Sequence, residues 1–271
     1  MSRPPAASAL VAAVVASGLL ASAPRWPHAL RAPLTRTNYA GRHVTLAEGP
    51  AWVVGAAAGA AVAADGSAAL VVLVPGAVGL LDDLAGDTTV KGLRGHLGAL
   101  REGRVTSGVL KIGALAATAL AAAVIEHRAT HREGDLPGAR SLVDAALVAG
   151  TANLLNLFDL RPGRALKVAT ALALPLLVAA PGSLRPALAA GLGATLGTVR
   201  EDLAGRSMLG DCGANASGAL VGQAAVRVLS PRGRGVALVG VTALTLLSER
   251  VSFSAVIDST PPLRRIDAWG R

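Results

Sequence analysis

The chain has 271 residues and a net charge of +9, and 52% of its residues are hydrophobic while only 16% are charged. Its mean hydropathy is +0.52. These values exclude an ordinary soluble domain of this length and favour a polytopic helical membrane protein. The positive charge suits anionic lipid headgroups and the positive-inside rule, so no nucleic-acid partner is expected. The single cysteine, Cys212, excludes an intrachain disulfide.

Nine apolar segments predict about nine transmembrane helices, within a range of eight to ten. The first, residues 6–23, ends in Ala21-Ser22-Ala23, which also resembles a signal-peptidase site, so a cleaved signal peptide is the alternative. The others are predicted at 49–64, 67–82, 106–125, 140–158, 165–180, 183–199, 213–229 and 234–248. The expected fold is therefore all-α, a polytopic integral membrane helical bundle. Residues 1–248 would form a single transmembrane domain and 249–271 a polar cytoplasmic tail.

The distribution of lysine and arginine predicts the orientation of this bundle. With the N-terminus outside, 17 of these residues lie on the inner side and eight on the outer side. The positive-inside rule therefore predicts an outside N-terminus and a cytoplasmic C-terminus. The same arrangement places four aspartates on the cytoplasmic face, and this coincidence is the main reason to expect a functional site there. These aspartates are Asp82, Asp83, Asp159 and Asp211.

Two adjacent carboxylates, Asp82 and Asp83, end the apolar run 68–81. An ionised aspartate in a membrane helix costs roughly 2.5–3.5 kcal/mol on insertion scales, and two neighbouring carboxylates repel each other. A divalent metal ion would offset both effects, because hard cations bind carboxylate oxygens. A solvated helix end that carries two aspartates is the alternative interpretation.

Two further polar groups lie at the ends of later predicted helices. Asn153, Asn156 and Asp159 recur every three residues, which keeps them on one side of a helix. Amides buried in a membrane face the bundle or a cavity, although hydrogen bonds between helices would explain them equally. Asp211 lies between glycines at a predicted helix start, where it either caps the helix or lies near a ligand that the glycines admit.

A glycine-containing loop after the aspartate pair carries Lys91, Arg94 and His96. Their side chains suit a phosphate site beside a metal ion, and a solvated loop on the positively charged inner side is the alternative.

In this order, the motifs resemble those of the polyprenyl-phosphate N-acetylhexosamine-1-phosphate transferase superfamily, glycosyltransferase family 4. The superfamily includes phospho-N-acetylmuramoyl-pentapeptide transferase and undecaprenyl-phosphate GlcNAc-1-phosphate transferase. The aspartate pair matches its aspartate-rich loop, and residues 91–93 look like its lysine segment. Residues 153–159 match its Asn-x-x-Asn-x-x-Asp motif, and residues 210–215 look like its Gly-Asp-x-Gly segment. The resemblance spans roughly residues 75–222.

The resemblance implies a multi-pass plasma-membrane enzyme of cell-envelope glycan biosynthesis. Such an enzyme transfers a sugar-1-phosphate from a UDP-sugar to a polyprenyl phosphate, releases UMP and uses Mg²⁺, with Mn²⁺ as a substitute; a homodimer is compatible with it. The implied catalytic residues are Asp82, Asp83 and Asp159. The implied metal ligands are Asp83, Asp159 and Asp211. The implied substrate-binding residues are Lys91, Arg94, His96, Asn153, Asn156 and Asn215.

The chain departs from the family pattern in two places. After Asp159 the usual Gly-Leu-Asp-Gly is replaced by residues 160–164, which contain no second acid, and no histidine-rich loop precedes the last predicted span. These departures motivate an alternative hypothesis, a catalytically impaired homologue that binds lipid phosphate as a membrane scaffold. A transporter with ion-carrying acids is a third hypothesis, but it predicts acids at mid-membrane depth, whereas these lie at the ends of predicted spans.

Overall fold

A computed structural model of the chain describes residues 4–85, 98–99, 101–103, 107–130 and 138–271. It is about 80% helical, and each of the nine predicted segments coincides with a long helix. The helices in the described residues are α1 (Pro5–Ser22), α2 (His28–Arg31), α3 (Glu48–Ala63), α4 (Gly66–Ala85), α5 (Ser107–Thr130), α6 (Ala139–Phe158), α7 (Arg164–Ala179), α8 (Arg185–Leu203), α9 (Gly210–Val228), α10 (Pro231–Ser248), α11 (Phe253–Ser259) and α12 (Pro261–Ala268). The predicted helical class is therefore confirmed.

Helix α9 lies at the centre of the bundle. Every one of its residues from 212 to 226 is buried, and it packs against α3, α4, α6 and α7. Small residues allow this close approach: a Cβ at Gly218 would overlap the backbone of Thr151, and one at Gly222 would overlap the backbone of Val148. Such contacts stabilise apolar helices mainly through van der Waals packing.

A second group of helices, α1, α3 and α8, packs beside this centre. Glycines again set the spacing, because a Cβ at Gly193 of α8 or at Gly59 of α3 would overlap the backbone of α1. Trp52 of α3 is buried in the shared core, and its indole N–H donates to the Thr195 hydroxyl at 3.0 Å.

The connection between α1 and α3 contains the one sheet found among the described residues. Three prolines at positions 24, 27 and 33 exclude a long helix there. Strand β1 (Thr35–Thr37) pairs antiparallel with β2 (His43–Thr45). The backbone of Thr45 also exchanges hydrogen bonds with Arg206 and Met208 in the α8–α9 connection. The all-α prediction therefore needs this small correction, which matters because the hairpin covers one end of the bundle.

Three helices in the described residues are long and apolar enough to cross a membrane, and they fall within Pro5–Arg25, Gly66–Leu84 and Arg140–Phe158. A bent pair, Pro231–Ser248 with Phe253–Ser259, makes a fourth if it is one span. The nine-span prediction is therefore not confirmed. Helices α3 and α7 have 16 residues each, whereas a span needs about 20, and alanine, glycine and threonine lower the hydropathy of the others. The apolar helices indicate membrane association.

The C-terminal residues 249–271, predicted as a polar tail, fold back onto the bundle as α11 and α12. Asp267 of α12 is buried and accepts two hydrogen bonds from the Arg164 guanidinium at the start of α7, at 2.7 and 2.9 Å. Arg164 also donates to the Ser254 hydroxyl at 2.8 Å, and Lys167 donates to backbone carbonyls of residues 266 and 267. The tail is thus held by charge-assisted hydrogen bonds at the end of the bundle where α7 begins.

Candidate functional site

Helices α4 and α9 run antiparallel, and the end of α4 meets the start of α9. The Asp83 carboxylate accepts hydrogen bonds from the backbone N–H groups of Asp211 and Cys212, at 3.1 and 3.0 Å. Gly79 makes the contact close, because a Cβ there would overlap the carbonyl of Asp211. Asp83 thus caps the N-terminus of the central helix, where a negative charge is favourable. Asp211, considered above as the cap, lies in the first turn of α9 instead.

Asp159 lies at the C-terminal end of α6, close to Asp83 and Asp211. Its carboxyl group is 7% exposed and lies close enough to Asp202, Asp211 and Asp83 for their charges to act on it. Burial, followed by the negative charge of Asp202, raises the pKa of Asp159 well above its usual value, while the backbone N–H of Gly210 opposes the rise. Three acids from sequence positions more than 50 residues apart therefore meet at one end of the bundle.

Two acids that were not expected from the sequence complete this group. Glu48 begins α3 with no exposed surface, and Asp202 near the end of α8 is 1% exposed. Burial and the neighbouring charge of Asp202 raise the pKa of Glu48 well above its usual value. Burial raises the pKa of Asp202 to about 6, although the Gly163 N–H, Arg271 and Lys167 oppose it. We call Glu48, Asp83, Asp159, Asp202 and Asp211 the acidic cluster.

Several oxygen atoms of the acidic cluster have no close hydrogen-bond partner among the described residues. They are Oε1 of Glu48, Oδ2 of Asp159 and both carboxylate oxygens of Asp202. The other Glu48 oxygen accepts from the Ser207 hydroxyl at 2.6 Å. Buried carboxylate oxygens are normally paired with a cation, a proton or hydrogen-bond donors, because leaving them unpaired is costly. The cluster is therefore a candidate site for a proton or a cation.

A cavity of about 180 Å³ gives access to the cluster. It lies between the β1–β2 hairpin and the loop after α6, and its wall includes Asp159, Asp202 and Ser207. Arg161 covers part of its edge by stacking its guanidinium 3.9 Å from the centre of the Tyr39 ring. The cavity has room for an ion with its water or for a phosphate group, but it is smaller than the roughly 300–1,000 Å³ typical of drug-sized ligands.

The other residues expected at the site are distributed unevenly around it. Asp82 is half-buried beside Asp83, and Asn153 and Asn156 are half-buried on α6. Asn215 lies one turn after Asp211 on α9 and is fully buried, and neither polar side-chain atom has a hydrogen-bond partner in the part of the chain that the structure describes. Lys91, Arg94 and His96 lie outside the described residues.

The chemistry of these donors suits a hard divalent cation, since carboxylate oxygens are the groups that Mg²⁺ prefers. Among the described residues, however, no three of the relevant side chains converge closely enough to hold a metal ion. Mg²⁺ is commonly bound by only one or two carboxylates, with water and substrate phosphates supplying its other ligands. The cluster therefore fits an ion that binds together with a phosphate-bearing substrate better than a closed structural metal site.

The sequence matches no model of a known protein family, and no curated protein matches it.

Proposed function

We propose that this chain is a membrane-bound transferase that moves a sugar-1-phosphate from a UDP-sugar to a polyprenyl phosphate and releases UMP. The observation that carries the proposal is the meeting of Asp83, Asp159 and Asp211 at one end of the bundle. These are the acids that the motif resemblance assigns to the reaction, and nothing in their spacing along the chain requires them to meet.

The membrane setting supports this reaction class. The acceptor is a lipid whose phosphate lies at the membrane boundary, and the acidic cluster lies where the apolar window 66–84 of α4 ends. Both substrates are anionic, so cations must offset their charge as they approach each other. The described residues supply acids at this point, and Lys91, Arg94 and His96 follow α4 directly in the sequence.

In this mechanism an oxygen of the acceptor phosphate attacks the β-phosphorus of the UDP-sugar, and the bond from that phosphorus to the bridging oxygen breaks as UMP leaves. Mg²⁺, held by Asp159 and Asp211 together with substrate phosphates, would supply positive charge at the diphosphate. Two backbone N–H groups bind the Asp83 carboxylate, so its part is to fix the start of α9 and Asp211 with it. Asp82, next to it, would orient the acceptor or take its proton.

A direct assay tests the proposal. Purified protein in detergent is mixed with undecaprenyl phosphate and candidate UDP-sugars, and UMP release is measured with and without Mg²⁺. We expect Mg²⁺-dependent release that falls at least roughly 100-fold in Asp159→Asn. The control is Asp258→Asn, which removes an exposed acid of α11 and should leave the rate unchanged. Asp83→Asn should also lose activity, with unfolding measured in parallel because Asp83 caps α9.

A non-catalytic lipid-phosphate-binding scaffold is the second candidate, and one observation favours it. Of the three basic side chains that follow Asp159, Arg164 and Lys167 are already bonded to the C-terminal helix α12. Fewer cations therefore remain here, which suits one lipid phosphate better than the two phosphate-bearing substrates of a transferase. Absence of UMP release with every common UDP-sugar, together with retained binding of undecaprenyl phosphate, would favour this function over catalysis.

A further inference from the structure

A second cavity lies beside the acidic cluster, and neither the motifs nor the proposed reaction accounts for it. Its volume is about 590 Å³, within the roughly 300–1,000 Å³ of small-molecule sites. It is formed by the end of α1, the segment leading to β1, and the α8–α9 connection. We call it the α1–α8 pocket.

The lining of this pocket has an apolar part and a basic part. The apolar wall contains Leu20, Trp26 and Leu34. The polar side contains Arg31, Arg200 and Arg206. Glu201 accepts two hydrogen bonds from Arg206, each of 2.7 Å, and so offsets its charge. Among the described residues, the guanidinium groups of Arg31 and Arg200 make no hydrogen bond or close ion pair. The charge of Arg200 also acts on Glu201, but both guanidinium groups line the pocket and can donate to an anion there.

The pocket is also continuous with an apolar stripe on the outside of α1. Ser17 and Ala21 line the pocket, and Leu10 and Val14 lie on the same helix face at spacings of three and four residues. Leu10 is 65% exposed and Val14 is 59% exposed. Because α1 is one of the helices apolar enough to span a membrane, this stripe leads from the apolar region of the membrane to the two arginines.

From these features we propose that the α1–α8 pocket binds a phosphate-headed amphiphile, with its phosphate between Arg31 and Arg200 and its apolar chain along Leu10 and Val14 of α1. Paired guanidinium groups recognise phosphate oxygens through charge-assisted hydrogen bonds. A soluble anion would not need the apolar stripe, and a neutral lipid would not need the arginines. The chemistry is common to a polyprenyl phosphate and to an anionic phospholipid.

The pocket also has a direct connection to the acidic cluster. Ser207 lines both the pocket and the smaller cavity, and its hydroxyl donates to Glu48. Ser207 would therefore lie between the acidic cluster and a phosphate held by Arg31 and Arg200. Binding is proposed whether or not the chain is a transferase, so its test does not use turnover.

The experiment measures lipid retention by the full-length protein in detergent, using native mass spectrometry and competition. Three probes are compared: undecaprenyl phosphate, undecaprenol, which has the same chain without the phosphate, and UMP, which has a phosphate without the chain. We expect undecaprenyl phosphate to bind on the order of tenfold or more tightly than the other two. Undecaprenol lacks the hydrogen bonds to the charged guanidinium groups, and UMP lacks the apolar contact.

The variants locate this binding. Arg31→Gln with Arg200→Gln should weaken binding of undecaprenyl phosphate on the order of tenfold and leave undecaprenol unchanged. Ala21→Phe, which fills the pocket from an exposed position and keeps both arginines, should weaken it as well. Arg232→Gln makes the same charge change at an exposed position near the opposite end of the bundle and should have no effect.

Competition with phosphatidylglycerol identifies the source of the ligand. Displacement at equal concentration supports a general anionic phospholipid, and resistance to displacement supports a polyprenyl phosphate. The proposal is overturned if the double arginine variant, with an unchanged unfolding temperature, binds undecaprenyl phosphate as the wild type does. It is also overturned if UMP or undecaprenol binds as tightly as undecaprenyl phosphate.

Discussion

The acids at the two ends of the helical bundle have opposite electrostatic surroundings. At the end where α3 turns into α4, Arg227 binds both Asp65 and Glu126, and Arg234 binds Asp144 at 2.9 Å. At the other end, three carboxylates of the acidic cluster have oxygen atoms without a close hydrogen-bond partner among the described residues, and they are Glu48, Asp159 and Asp202. In the described part of the chain, arginines thus pair with the acids at one end, whereas no arginine hydrogen bond to these three acids is found at the other.

This difference separates a structural role from a functional one. Burial raises the pKa of Asp65, but the Arg227 guanidinium and the backbone N–H groups of Ala68 and Ser67 together outweigh it and lower the pKa, so that acid stays ionised and contributes to stability. At the acidic cluster, burial raises the pKa of Asp159 and Asp202 instead. Groups whose ionised form is destabilised in the absence of a ligand are typical of binding and catalytic sites.

The arginine-compensated end should be the more sensitive to mutation. Arg227→Gln leaves Asp65 and Glu126 partly buried without their cation, and removing one partner of a buried ion pair costs about 3–5 kcal/mol. Thermal or denaturant unfolding in detergent measures this loss. Arg232→Gln is the control, because its side chain is exposed and should change the free energy of unfolding by less than about 0.5 kcal/mol. Equal stability of the two variants would show that the Arg227 pairs contribute nothing.

The buried pair between Arg164 and Asp267 is a compensated site at the otherwise acidic end. Asp267→Asn should lower the free energy of unfolding by about 3 kcal/mol, because it leaves a guanidinium that is only 3% exposed without its carboxylate. Protection of α11 and α12 from proteolysis should fall with it. In contrast, Asp258→Asn removes a carboxylate that is 53% exposed and 3.8 Å from Arg161, and surface pairs of this kind contribute little. A protected tail in Asp267→Asn would contradict this account.

The acidic cluster should make the protein more stable as the pH falls from about 7 to about 4.5. The pKa of Asp202 is about 6 in the folded protein and 3.8 in the reference state, so the folded state binds more protons in this window. Stability therefore falls as the pH rises through the folded pKa, by as much as about 2–3 kcal/mol for this group. Asp202→Asn should remove that part of the pH dependence, which unfolding measurements at both pH values can detect. Identical pH profiles for variant and wild type would exclude Asp202 as the cause.

The contact between α4 and α9 positions Asp83 against the start of α9, and it depends on a glycine. Gly79→Ala introduces a methyl group that overlaps the Asp211 carbonyl, and overpacking of this kind costs about 1–3 kcal/mol. Lipid binding at the α1–α8 pocket should be unaffected, whereas UMP release should fall. Gly113→Ala is the matched control, because a Cβ there meets nothing within 4 Å and alanine favours a helix. A Gly79→Ala variant as stable as this control would mean that the two helices can move apart without penalty.

The sequence determined the helical class, because each long apolar segment can satisfy its backbone in a membrane only as a helix. Nine helices coincide with nine predicted segments in the described residues. The motif order also pointed to Asp83, Asp159 and Asp211 as a group, since short connections and alternating direction bring the same ends of successive helices together. The number of membrane spans did not follow, because hydropathy is too even along an alanine-rich chain to separate a span from a buried helix.

Only the tertiary structure decided which polar residues belong to the site. Glu201 and Asp202 are neighbours in a charged segment, yet Glu201 is exposed and bound to Arg206 while Asp202 is buried in the acidic cluster. Consecutive residues on a helix point about 100° apart, so one faces water and the other faces the core, and no local pattern says which. Glu48 was missed for the same reason, because its surroundings include Thr198, Asp202 and Ser207 of α8 and the α8–α9 connection, which are distant in the sequence. Burial and the charges that surround a group are sums over such distant neighbours, and they are known only once the chain has folded.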